Sequence, residues 1–174
     1  MTIHTEHPFL DPSADPVRRL RGRLGGAVTL WTSGDKDTVG ARAGLTVSSL
    51  MVAGGEPGYL LALVDPDSSL RDLIEETERA VVHLLRWEHR DLAEAFAGQM
   101  PAPGGPFTMG EWEQTEYGPR LLSASSWAAV ELESLTSVGW SDLVTARIVE
   151  VVVGDDDSSL EHRRGRYHRA PGSD

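Results

Sequence analysis

There is no cysteine among the 174 residues, so no disulfide framework, thiolate nucleophile or thiolate metal ligand is open to this chain. No apolar run approaches the ~20 residues that cross a bilayer. The opening stretch, Met1 to Pro8, lacks the basic start and apolar run of a secretory signal. A soluble cytoplasmic protein with no membrane partner is the expectation. Positive charge is also short: 16 Lys plus Arg face 27 Asp plus Glu, a net charge of −11. Binding to a phosphodiester backbone rests on basic side chains, so nucleic acid is not an expected partner. His83 and His89 lack companions at metal-ligand spacing, which argues against a metal site. No internal repeat is visible.

The length suits one domain with one substantial core. Residues 1–14 read as a flexible lead-in, 15–169 as the domain and 170–174 as a tail. Asp15-Pro16 resembles an N-cap with proline in the first turn, and predicts a short helix. Ala27–Thr32 reads as a strand, with a turn over Ser33–Asp37 into a second strand from Thr38 to Val47. Tyr59–Val64 is apolar on both faces, as in a buried strand, and Asp67 or Ser68 can cap a helix through about Thr77. Val81–Leu85 predicts another strand, Glu88–Ala97 a helix broken at Gly98, and Gln99–Gly110 a surface loop. Two long antiparallel strands, Trp127–Leu135 and Leu143–Val153, are expected across a connection at 136–142. At least six strands with few, short helices favour a mainly β fold, a closed or nearly closed antiparallel barrel.

Two hydroxyl clusters follow apolar, strand-like runs. Thr46-Val47-Ser48-Ser49 comes after Gly44, and Asp65-Pro66-Asp67-Ser68-Ser69 comes after Tyr59–Val64. Backbone N–H and hydroxyl donors gathered at strand ends can converge on one anion. Taken singly, such clusters are more often turn-formers. Basic residues crowd the far end instead, with Arg163, Arg164, Arg166 and Arg169 in the last dozen positions.

In order and spacing, Gly44–Leu50, Val64–Leu70, the Leu92-Ala93 and Phe96-Ala97-Gly98 helix end, and Arg164-Gly165-Arg166-Tyr167 resemble the flavin reductase-like family. The resemblance covers roughly Val17 to Tyr167 and implies an FMN-binding split β-barrel. It implies flavin contacts from Thr46, Val47, Ser48 and Ser49, with Asp65, Ser68 and Ser69 at the phosphate. Phe96 and Tyr167 would shape the pocket and Arg166 would face the flavin or the nicotinamide. It further implies a homodimer with flavin at its interface, NADH or NADPH as hydride donor, and a monooxygenase as recipient of reduced flavin. FAD or a deazaflavin in the same cleft is the alternative cofactor. Two places depart from the family pattern. Gly139-Trp140-Ser141-Asp142 stands where a Gly-Asp-His is usual, and His162-Arg163 replaces a usual Tyr-His. The first departure supports a second expectation, a flavin-binding carrier or sensor without nicotinamide turnover.

Overall fold

The computed structural model describes residues 15–35, 37, 41–155 and 158–171. The lead-in at 1–14, the tail beyond 171, and the stretch Thr38–Gly40 expected to open the second strand lie outside them.

A nine-residue helix, α1 (Pro16–Leu24), begins on Asp15, whose carboxylate accepts the Val17 N–H at 3.0 Å. The strands β1 (Gly26–Ala27), β2 (Thr29–Gly34), β3 (Arg42–Val47), β4 (Met51–Ala53) and β5 (Tyr59–Val64) follow. Next come α2 (Ser69–Thr77), β6 (Arg79–Leu84), a 3-10 turn at Trp87–His89 and α3 (Arg90–Phe96). A small hairpin, β7 (Trp112–Thr115) and β8 (Gly118–Leu121), precedes the long strands β9 (Trp127–Val138) and β10 (Ser141–Val152). The chain ends on β11 (Leu160–Arg163) and β12 (Arg166–Arg169).

Seven strands form one antiparallel sheet in the order β3-β2-β6-β9-β10-β5-β4. Ala43 and Val47 from one edge share a core with Leu60, Ala62 and Val64 from the other end. A sheet whose distant strands fill the same interior has curled on itself, which is the split barrel. α2 plugs this barrel with Leu70 and Ile74. Strand alternation makes β2 serve two cores: Trp31 points into the barrel, and Leu30 points to a second core that Phe96, Leu121 and Leu160 complete outside it. His83 joins the layers. Its Nε2 accepts the Leu121 N–H at 2.9 Å, so Nδ1 carries the proton and donates to the Leu30 carbonyl, also at 2.9 Å. Full burial pushes its pKa down to about 4.

Four expectations need correction. The 136–142 connection is mostly strand, because Thr136 and Ser137 stay paired with Leu143 and Asp142. The turn shrinks to Gly139-Trp140, with positive φ at its first residue, the pattern of a two-residue II′ hairpin. β5 is covered on its barrel face only, and Leu63 is 39% exposed, since no layer packs outside this strand among the described residues. The helix expected from Glu88 starts as a 3-10 turn because the His89 ring folds back to accept the Arg86 N–H at 3.1 Å. The loop before Gly110 is not wholly superficial either, as Phe107 and Met109 pack against the second core.

Candidate functional site

The first hydroxyl cluster leaves the sheet at the end of β3. Gly44 faces the Phe96 ring so closely that a Cβ would come within 2.5 Å of it. Two residues on, Thr46 Oγ1 donates to the Ala93 carbonyl of α3 at 2.7 Å. Val47 turns its side chain into the barrel core, and its carbonyl accepts the Thr29 hydroxyl at 2.6 Å. Ser48 is exposed, and its carbonyl lies where a Cβ on Gly26 would meet it at 2.8 Å, so β1 runs tightly beside the loop. Ser49 continues the β4–β5 ladder with its side chain: the register Met51↔Leu61 and Ala53↔Tyr59 puts Ser49 opposite Leu63. Its Oγ donates to the Leu63 carbonyl at 2.8 Å and accepts the Leu63 N–H at 3.0 Å.

That pairing brings the first cluster to within two residues of the second. Asp65 ends β5 as an Asx turn, its Oδ1 accepting the Asp67 N–H at 2.9 Å. The Asp65 carbonyl accepts the Ser68 N–H at 3.1 Å and its hydroxyl at 2.7 Å, while Ser68 Oγ caps α2 by accepting the Arg71 N–H at 3.3 Å. Ser69 is exposed and opens the helix. The first N–H groups of a helix have no carbonyl partner within it, and the macrodipole adds positive potential there.

Behind this corner stands a network whose members sequence reading did not connect. Arg71 Nε donates to Asp142 at 2.9 Å, Ser137 donates to the same carboxylate at 3.0 Å, and Glu75 takes the other side of the guanidinium. These donors hold the Asp142 carboxyl below the ordinary aspartate range, and its carboxylate raises the Arg71 pKa in turn. Asp142 pairs with Val64 across the sheet, so the network ties the start of α2 to the β9–β10 turn. Trp140, at the tip of that turn, is 93% exposed.

On the other flank, Tyr167 of β12 packs against the second core, its ring 5.5 Å from that of His162. Burial and the charge of Glu94 push its phenol up to about 12. Arg166 beside it is exposed. Thr46, Phe96 and Tyr167 therefore gather around α3, while Ser49, Asp65, Ser68 and Ser69 gather where β5 meets α2. Ser48 lies between the groups. Phe96 is a wall and not a lining: 5% exposed, it meets Phe107 and Trp112 edge to face.

One Ser–His pair falls outside both groups. His89 Nδ1 accepts the Arg86 N–H, so the proton sits on Nε2, 3.0 Å from Ser123 Oγ. That tautomer donates to the serine and is the wrong one for removing its proton. Among the described residues no cluster of His, Asp and Glu is arranged to hold a metal, and no helix is long and apolar enough to cross a membrane.

Residues 21–171 match the model of the flavin reductase like domain. The chain belongs to that family. A curated relative, "FMN reductase (NADH) RutF" of Ancylobacter novellus, is 28% identical over 162 residues, covering 92% of this chain and 87% of that protein. The 4-hydroxyphenylacetate 3-monooxygenase reductase component of Pseudomonas aeruginosa is 22% identical and covers 92% of this chain and 94% of its own length. Among solved structures, a flavin reductase domain protein from Arthrobacter sp. FB24 superposes with a TM-score of 0.78 at 23% identity, over 91% of this chain and 96% of that one. As a flavin reductase-like domain, the chain has the split-barrel fold of its structural neighbours.

Proposed function

We propose that this flavin reductase-like domain, spanning 15–169, takes hydride from NADH onto FMN and passes the reduced flavin to a monooxygenase. The carrying observation is the corner where β5 meets α2. Ser49 fixes the first hydroxyl loop to the strand whose end Asp65 turns into the start of α2, so clusters separated by about twenty residues become neighbours. The exposed Ser48 and Ser69 hydroxyls and the opening N–H groups of α2 suit a phosphate and a polar ring edge. Thr46, Val47, Asp65, Ser68 and Phe96 position the loops, because their polar atoms or rings are already engaged. Tyr167, packed on the second core, and the exposed Arg166 next to it on β12 complete the set in this reading. FMN supplies the hydride chemistry when bound. The names of the RutF and monooxygenase-component relatives support the donor, the flavin and the class of recipient.

The working unit in this reading is a homodimer. Met51 and Val52 on β4, Val149 and Val151 at the far end of β10 and Val153 just beyond it are exposed apolar residues on a single chain. A second copy is the simplest cover for them.

The test is anaerobic addition of NADH to protein with FMN, followed by absorbance. Bleaching of the flavin band is expected. A perturbed, bound spectrum that neither NADH nor NADPH bleaches overturns the reductase reading and leaves a flavin carrier, with the bulky Trp140 at the hairpin tip as the suspected obstruction.

A further inference from the structure

The β9–β10 hairpin outruns the sheet that carries it. β6 accompanies β9 only as far as Glu131, and β5 accompanies β10 only up to Asp142. From Val138 to Ser141 the two strands pair with each other alone, and Trp140 stands exposed at the tip. Two unsupported strands are marginal in water. The ladder by itself therefore does not fix where this tip stands relative to α2. At its C-terminal end α2 is pinned to β9 through the backbone, the Leu132 N–H donating to the Glu78 carbonyl at 2.8 Å. Toward its N-terminal end the tie to the hairpin is made by side chains.

Arg71 belongs to both ends of that tie. Its N–H closes the α2 cap on Ser68 Oγ at 3.3 Å, and its Nε donates to Asp142 at 2.9 Å. Glu75 holds the other side of the guanidinium, so the planar fork is fixed from two directions. Asp142 is buried, and its other oxygen accepts the Ser137 hydroxyl at 3.0 Å from the facing residue of β9. A buried ion pair adds little net stability over apolar side chains of similar size. Such side chains fit this end of the barrel, since Val64, opposite Asp142, and Val144, two residues along, both sit in the core. What the pair provides and an apolar contact does not is a fixed direction between two elements.

We infer that the Arg71–Asp142 pair is a positioning device for flavin reduction, holding the start of α2 and the Trp140 tip in one relation so that the bound flavin meets its hydride donor at a fixed angle. The inference rests on the reductase reading, in which the opening N–H groups of α2 and the exposed Ser69 hydroxyl take the flavin phosphate. Transfer requires the reacting atoms to lie ~3–3.5 Å apart and aligned. A corner free to rock therefore loses rate as well as affinity. Arg71 and Asp142 act through the helix start and the hairpin tip, and not on the reacting atoms.

The experiment compares the wild type with Arg71→Met, Arg71→Met/Asp142→Asn and Val130→Ala, each well below its unfolding midpoint. Arg71→Met strands a buried carboxylate and loses stability. Adding Asp142→Asn removes that charge, keeps the Ser137 bond and recovers part of the loss. Function should not recover with it. In both Arg71 variants the FMN dissociation constant rises about tenfold, and kcat at saturating FMN and NADH falls about tenfold. Val130→Ala truncates a buried barrel residue paired with Ala80 and Ile148, and should keep both quantities within about twofold despite its lost stability. Amide exchange at Ser69–Asp72 and Val138–Ser141 should quicken in the Arg71 variants while β2 and β6 stay protected. Affinity and kcat that return with stability in the double variant overturn the inference, as does an equal loss in Val130→Ala, because the pair then serves folding alone. Wild type that binds no FMN defeats the reductase reading instead. The exchange pattern still decides whether the pair braces the corner, and unchanged exchange overturns that too.

Discussion

Helices α1 and α2 are each nine residues long, and each starts on a side-chain cap, Asp15 for one and Ser68 for the other. α2 buries Leu70 and Ile74 in the barrel and ties its one arginine to Asp142 and Glu75. α1 buries no residue, leaves Val17, Leu20 and Leu24 exposed, and carries four arginines that meet no carboxylate among the described residues. α2 is thus a structural part of the fold whose exposed end is also useful. α1 contributes no buried residue to either core. Similar local signals led to opposite fates because capping fixes where a helix starts and not what it packs against.

Truncation of one apolar side chain on each helix is the sharpest way to break this contrast. Ile74→Ala should cost about 2–5 kcal/mol, lost transfer energy plus a cavity in the barrel. Leu20→Ala should stay within about 0.5 kcal/mol. Urea unfolding of both variants measures the difference. A loss for Leu20→Ala that grows with protein concentration would show α1 covered by a second copy, and the contrast would then hold only for the single chain.

Acid separates the packed side from the open side next. The unfolded His83 titrates near the ordinary histidine value of 6.5 and the folded, buried one at about 4. Below pH 6.5 the unfolded chain takes up a proton that the folded chain refuses. Stability is therefore complete above that pH, falls as the pH drops, and levels off below about 4, for a total near 3 kcal/mol. His162, half-buried beside Arg21 and His168, is also held below the usual histidine range, so the open side adds a loss of the same sign. Unfolding of His83→Gln across pH 7 to 4 isolates the first contribution. A slope identical to that of the wild type would remove His83 from this role.

At the α2 corner the effects become smaller and divide between stability and binding. Ser68→Ala removes the cap and should cost about 1 kcal/mol. Ser69→Ala, whose hydroxyl is exposed, should leave stability alone and weaken FMN about three- to tenfold, the value of one hydrogen bond. Unfolding and flavin titration on the same two proteins check the split. Equal stability losses would make both serines structural and take the phosphate away from this helix.

The sequence carried the capping of both helices, the mainly β architecture and the two hydroxyl clusters, because these depend on residue type at short range. Partners across the fold were out of reach. Ser49 was visible as a hydroxyl, but its pairing with Leu63 depends on the register between β4 and β5. The family resemblance placed Phe96 in the pocket, and nothing in its sequence neighbourhood shows that Phe107 and Trp112 already enclose it. The ion pair of Arg71 with Asp142 joins residues 71 positions apart, and nothing in either neighbourhood marks it. The arginines of α1 were legible individually, but that none of them meets a carboxylate among the described residues shows only in the fold.

Trp140 offers the finest cut, because it belongs to neither helix by contact yet is tied to α2 by the network through Asp142. At 93% exposure its replacement by Ala should change single-chain stability by less than about 0.5 kcal/mol. The turn should survive, since Gly139 supplies the positive φ and Asp142 keeps its bonds to Arg71 and Ser137. What changes is access to the corner above β5 and α2. If the indole obstructs a nicotinamide there, Trp140→Ala raises kcat/KM for NADH while FMN affinity holds. If the indole stacks on the flavin, FMN affinity falls and the quenching of tryptophan emission by FMN drops with it. No change in either quantity would place the tip away from the ligand, and the α2 corner would then function without the hairpin that braces it.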